Sequence, residues 1–123
     1  MAEHNDFGKL AEELAKAFLK DKGYGIIRSN FRYQKAEIDI IASFADLVIM
    51  VEVKARASDA FLEPHEAVNK KKIRLIVTAA DEFMKQENRN EEVRFDIISV
   101  LPDATGKLEV THIESAFEAM DAN

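Results

Sequence analysis

The stretch from Ala36 to Arg56 leaves this chain few folds to choose from. Two runs of aliphatic and β-branched residues flank Ala45 and Asp46 and read as a β-hairpin with a tight connection. In the second run the period of two sends Val48, Met50, Glu52, Lys54 and Arg56 to one face and Ile49, Val51, Val53 and Ala55 to the other. That first face begins apolar and ends charged. A turn centred on Ala45 and Asp46 sets Asp39 opposite Glu52 and Glu37 opposite Lys54, provided no bulge intervenes.

Cross-strand Cβ atoms lie roughly 4.5 to 5.5 Å apart, so two facing carboxylates repel unless a cation sits between them or one is protonated. Asp39 and Glu52 offer the hard oxygens that Mg²⁺ takes, usually one or two carboxylates with water and phosphate completing the shell. Lys54, on the same face, adds a point charge able to orient water or steady a developing oxyanion. The competing reading is a solvated strand end carrying a Glu52–Lys54 ion pair.

Before the hairpin, Asn5 or Asp6 can cap a helix whose Phe7, Leu10, Ala11, Leu14 and Phe18 form a core stripe. Glu12 lies on the shoulder of that stripe beside Gly8, Ala15 and Leu19, and Glu13 falls among Lys9, Lys16 and Lys20. Glu13 is a solvated charge. Glu12, by residue type alone, is also a surface charge, though its position lets it reach toward the sheet. Gly23 ends the helix, and 24–33 is a strand interrupted by Ser29 and Asn30.

After the hairpin, 57–63 read as a loop and Pro64 suits the first position of a second helix. That helix carries Val68, Leu75, Ile76, Ala79 and Phe83 on one face, with Lys72 inside the apolar stripe, snorkelling or functional. A strand at 93–101 follows, where Arg94 and Asp96 read as a surface ion pair. A turn at 102–106, an edge strand at 108–113 and a short helical tail at 115–120 complete the chain. His4, His65 and His112 have no ligand spacing and read as incidental.

The 123 residues suffice for one domain, 1–123, and its single core. No apolar run is long enough to cross a bilayer, and the N-terminus does not read as a signal peptide. The absence of cysteine excludes thiolate metal sites and cysteine nucleophiles and suits a reducing cytoplasm. A net charge of −6 argues against a general nucleic-acid binder, yet residues 1–80 carry +1 and residues 81–123 carry −7. A positive face built from Arg28, Arg32, Lys35, Lys54, Arg56 and Lys70 to Arg74 is compatible with that division.

Asp39 followed by Glu52-Val53-Lys54 resembles the PD-(D/E)xK signature of restriction endonuclease-like enzymes. More closely, the chain resembles the YraN family of bacterial proteins, related to archaeal Holliday junction resolvases. The resemblance rests on Gly8, Glu12 and Ala15, Gly23-Tyr24, Asn30 and Arg32, Glu37-Ile38-Asp39, Val51 to Lys54 with Arg56, Lys72 with Ala80, Arg94-Phe95-Asp96 and Ala116-Phe117. It departs where that family usually carries glycine and this chain has Ala11 and Ala36.

The resemblance implies an α/β domain with a restriction endonuclease-like core: a mixed central sheet flanked by helices, in the order αβββαβ, with a short strand and helix after it. It implies a Mg²⁺- or Mn²⁺-dependent nuclease acting on DNA with branched or single-stranded features, with a homodimer by analogy alone. Glu12, Asp39 and Glu52 would hold the metal, Asp39, Glu52 and Lys54 would be catalytic, and Arg32, Arg56 and Lys72 would meet nucleic acid. The alternative is a nucleic-acid-binding or protein-interaction module of the same fold with little or no nuclease activity.

Overall fold

The computed structural model describes residues 2–56 and 69–122. Its elements are helix α1 (Ala2–Asp21), strands β1 (Gly25–Tyr33), β2 (Ala36–Phe44) and β3 (Leu47–Ala55), helix α2 (Lys70–Gln86), strands β4 (Glu92–Pro102) and β5 (Leu108–Phe117), and a 3₁₀ turn at Ala119–Ala122. The expected order αβββαβ with a further strand is therefore present. The five strands lie in sequence order in one sheet. Every neighbouring pair is antiparallel except β3 and β4, which run parallel because α2 carries the chain back across the sheet.

The two helices cover opposite faces. Ala11, Ala15 and Leu19 of α1 pack with Ile40, Ala42, Ile49, Val51, Ile98 and Val100. Ile73, Ile76, Ala79, Ala80 and Phe83 of α2 pack with Phe31, Ile38, Ile41, Val48, Met50, Phe95 and Ile97. The buried stripe of α1 is thus rotated from the expected one: Leu10 is exposed, while Ala15 and Leu19 are fully enclosed. The two alanines, Ala11 and Ala15, let the helix lie close on the sheet, and Leu19 fills the space one turn further on. The rotation brings Glu12, one turn from Ala15, nearer the sheet. Ala11 and Ala36, where glycine was the family's habit, are both buried, so their methyls add core contact.

Helix α2 starts at Lys70, with the Asn69 side chain accepting from the Lys72 amide at 2.9 Å. The expected loop at 57–63, the helix start at Pro64 and Val68 lie outside the described residues. The expected helical tail is corrected: β5 continues to Phe117, across a register shift that Ser115 accommodates with φ of 50°, and only the short 3₁₀ turn follows.

Strand β2 supplies the feature that shapes the site. Ala36 and Ile38 face α2, but Ile40 and Ala42 face α1, so the alternation slips by one residue at Asp39. Asn30, opposite Asp39 between the pairs Ser29–Ile40 and Phe31–Ile38, has φ of 52°. Asparagine tolerates that left-handed conformation better than most residues.

Candidate active site

The hairpin register is the one read from the sequence, pairing Phe44 with Leu47 through to Ile40 with Val51. The ladder stops there. Beyond it β2 stays with β1, pairing Glu37 with Arg32, and β3 stays with β4, pairing Glu52 with Ile97 and Lys54 with Ser99. The two strands part where Asp39 and Glu52 were expected to face each other. Asp39 instead turns its Oδ2 onto the amide of Val53, which donates to it at 2.8 Å and so replaces the missing backbone partner. The expected Glu37–Lys54 cross-strand pair is likewise replaced by Glu37 with Arg32. A bulged, slipped strand was the condition that would break that geometry.

The fork opens into a cavity of about 350 Å³ lined by Lys35, Glu37, Asp39, Glu52, Val53, Lys54 and Lys72. Glu52 is 5% exposed, and its Oε1 lies 3.3 Å from Lys72 Nζ and 3.8 Å from Lys54 Nζ. Lys72 thus enters the site from the first turn of α2, as its place in the apolar stripe allowed. The sequence-derived Glu52–Lys54 ion pair is present, but buried and shared with a second lysine.

Burial and the neighbouring Glu52 push the Asp39 carboxyl up to about 7, against the lowering effect of the Val53 amide. Burial also raises Glu52, and the two ammonium groups offset only part of that. Burial and Lys72 together bring Lys54 down to about 8. Lys72 moves the other way: burial lowers it, but its bonds to Lys54 and Glu52 outweigh burial and raise it. Of the two amines, Lys54 is therefore the one that releases a proton near neutral pH.

Asp39 and Glu52 fit a divalent cation held by two carboxylates, because the Glu52 charge disfavours that of Asp39 and both carry hard oxygens. The three-carboxylate set does not close up: among the described residues no three histidine or acidic side chains form a metal cluster. Glu12 accepts from Asn30 Nδ2 at 3.2 Å, and the same amide donates to Glu37 at 3.1 Å. Asn30 therefore ties α1 to β2 beside the fork, where Glu37 lines the cavity and the Glu12 charge helps to raise Asp39. The sequence pointed to Asn30 as a polar break in an apolar strand and as one of the residues carrying the family resemblance, without a role.

The positive face is smaller than its sequence suggested. Arg28 lies 3.8 Å from Glu87 and over the Phe31 ring, and Arg74 donates to the Ala122 carbonyl. Arg32, 77% exposed at its side chain, stands beside Glu37 at 3.6 Å. Arg56 follows β3 directly, its amide donating to Val100. A second cavity of about 290 Å³ is lined in part by Lys35, Glu37, Lys71 and Lys72. Three of those residues also line the fork, so the two cavities adjoin.

Arg94 and Asp96 are not a surface pair. Asp96 is fully buried, takes two hydrogen bonds from the Arg94 guanidinium, one from the Ser115 amide, and lies 2.6 Å from His112 Nε2. Arg94 also donates to the Tyr24 hydroxyl at 2.7 Å. His112 is thereby corrected from incidental to structural. His65 and the side chain of His4 lie outside the described residues. The parity of 94 and 96 was legible, but not that Tyr24, just after α1, and His112 and Ser115 of β5 close on them.

Fold and site define a mixed-sheet α/β protein with a charged crevice where two strands part. The family described as "Uncharacterised protein family UPF0102" matches residues 11–100, which include every candidate site residue. A UPF0102 protein of Flavobacterium psychrophilum is 44% identical over 117 residues, covering 95% of this chain and 98% of the relative. One from Parabacteroides distasonis is 44% identical over 119 residues, covering 97% and 98%. One from Christiangramia forsetii is 43% identical over 117 residues, covering 95% and 98%. The chain belongs to the UPF0102 family, the YraN family of the sequence resemblance.

Proposed function

We propose that this protein is a divalent-metal-dependent nuclease of the restriction endonuclease-like superfamily, hydrolysing phosphodiester bonds in DNA with branched or single-stranded features. The observation that carries the proposal is the convergence of Asp39, Glu52, Lys54 and Lys72 on one cavity, with Asp39 and Lys54 both displaced toward neutral pH. A bound Mg²⁺ or Mn²⁺, held by Asp39 and Glu52, would supply Lewis-acid stabilisation of phosphate charge. Lys54 orients the attacking water and takes its proton at Nζ, a task suited to an amine that titrates at about 8. Lys72, Lys35 and Lys71 hold substrate phosphates along the adjoining cavities, and Arg32 and Arg56 extend that contact at the rim. The cysteine-free chain suits a cytoplasmic setting for this activity.

The second reading, a binding module without cleavage, is favoured by one observation: Glu12 bonds Asn30 rather than joining a metal cluster. The deciding experiment incubates the protein with linear, single-stranded, flapped and four-way DNA and with RNA, in Mg²⁺ or Mn²⁺ against an EDTA control. Metal-dependent cleavage of any substrate, lost in Lys54→Met, supports the nuclease. Binding without cleavage in every condition supports the module.

A further inference from the structure

We infer that Lys72 couples metal binding to nucleic-acid binding by holding Glu52 until phosphate draws it away. This rests on the nuclease reading of the site and concerns its regulation. Glu52 is buried, and one of its oxygens, Oε1, is bracketed by both ammonium groups, Lys72 the nearer at 3.3 Å. A divalent cation and the Lys72 ammonium therefore compete for the same carboxylate, and like charges in a poorly solvated crevice repel strongly. The two lysines differ in their freedom to yield. Lys54 sits within β3, paired through Ser99 to β4, and its side chain is 18% exposed. Lys72 stands in the first turn of α2, its side chain is 39% exposed, and it lines both the fork and the neighbouring cavity.

Lys72 therefore has two destinations, Glu52 on one side and a phosphate entering the second cavity on the other. With no phosphate present the ammonium neutralises Glu52 and weakens metal binding. A phosphate that takes Lys72 leaves Glu52 free for the metal, and by reciprocity the metal releases Lys72 to the phosphate. The arrangement would make the metal site strongest when substrate is in place.

The test measures Mn²⁺ affinity from the electron paramagnetic resonance signal of the free ion, for wild type, Lys72→Met, Lys85→Met and Asp39→Asn. Each is measured alone and with a saturating phosphorothioate oligonucleotide. Lys72→Met should bind Mn²⁺ at least about fivefold more tightly than wild type in the absence of oligonucleotide, the lower end of typical coupling. That gap should narrow when oligonucleotide is added, and Lys85→Met, in the last turn of α2 and outside both cavities, should behave as wild type. Circular dichroism melting of each variant checks that it is folded, and Lys72→Gln serves if the methionine variant is not. Mn²⁺ affinity in Lys72→Met that equals or falls below wild type overturns the coupling and leaves the nuclease reading standing. A wild type that binds no Mn²⁺, or binds it no better than Asp39→Asn, overturns the metal site and the coupling with it.

Discussion

Asp39→Asn should make the metal-free protein more stable, and increasingly so as the pH rises. Asp39 is held up to about 7 by burial and Glu52, against an ordinary value of 3.8. A carboxyl raised on folding keeps its proton in the native state after the unfolded chain has released it. Stability therefore falls as pH rises from about 4 to about 7, and the whole penalty is present above that window. The interval corresponds to roughly 4 kcal/mol as an upper bound. Glu52 shares the proton and asparagine packs less well beside Lys54, so a net gain of about 2 kcal/mol is the working figure. For a chain of this length that amounts to roughly 8 °C in melting temperature. The substituted amide oxygen still accepts from Val53, so the fork keeps its geometry. Thermal unfolding in EDTA, followed by far-ultraviolet circular dichroism at pH 5 and pH 8, reads the effect. Equal shifts at the two pH values, or a loss at pH 8, would refute the repulsion from which the metal site is argued.

Saturating Mn²⁺ should stabilise wild type, by about 2.7 kcal/mol at a hundredfold excess over its dissociation constant, and leave Asp39→Asn unmoved; urea titration with and without metal measures both. Asp96→Asn should cost roughly 3 kcal/mol, because it breaks the pair of the buried Asp96 with the partly buried Arg94 and leaves His112 and the Ser115 amide poorly matched; a loss under about 1 kcal/mol in urea would return that pair to the surface category. Burial pushes the Asp96 carboxyl up, but bonds from His112, Arg94 and Ser115 outweigh it and hold the group below its ordinary value. Its stabilisation is thus complete above the ordinary carboxylate range and lost as pH falls through the lowered value, which acid unfolding of wild type against Asp96→Asn would display. Asn30→Ala should destabilise by about 1 to 2 kcal/mol through the left-handed backbone and the lost Glu12 and Glu37 contacts, whereas Asn30→Gly should recover the backbone part alone; equal melting temperatures for the two would remove the strain from the account.

The hairpin was legible because both its devices are local: alternation assigns the faces of β3, and the tight turn at Ala45 and Asp46 fixes the register. Helix α1 was legible in its existence and its end before Gly23, but not in its start, which lies at Ala2 rather than after a cap at Asn5 or Asp6, nor in its orientation. The stripe read from the sequence, Phe7, Leu10, Ala11, Leu14 and Phe18, holds at Ala11, but close packing on the sheet turns Ala15 and Leu19 inward and leaves Leu10 exposed. Arg94, Asp96 and His112 were misread for a related reason. A charged pair on one strand says nothing of what other elements lay over it, and Tyr24, Ser115 and His112 come from 70 residues before Arg94 and 19 and 16 residues after Asp96.

The site was readable as a set of residues and unreadable as a geometry. An unbroken ladder would have placed Asp39 and Glu52 side by side, each with its backbone satisfied, and Glu37 beside Lys54. The slip at Asp39 prevents that, and its cause lies partly in β1, where Asn30 adopts the left-handed conformation opposite. Once the strands part, the Val53 amide has no backbone partner across from β2, and the Asp39 carboxylate takes it. The same parting makes the cavity that Lys72 enters. A continuous sheet would leave no room between two strands for a phosphate or a cation, so the irregularity that defeated the pairing rule is also what turns four charged side chains into a crevice.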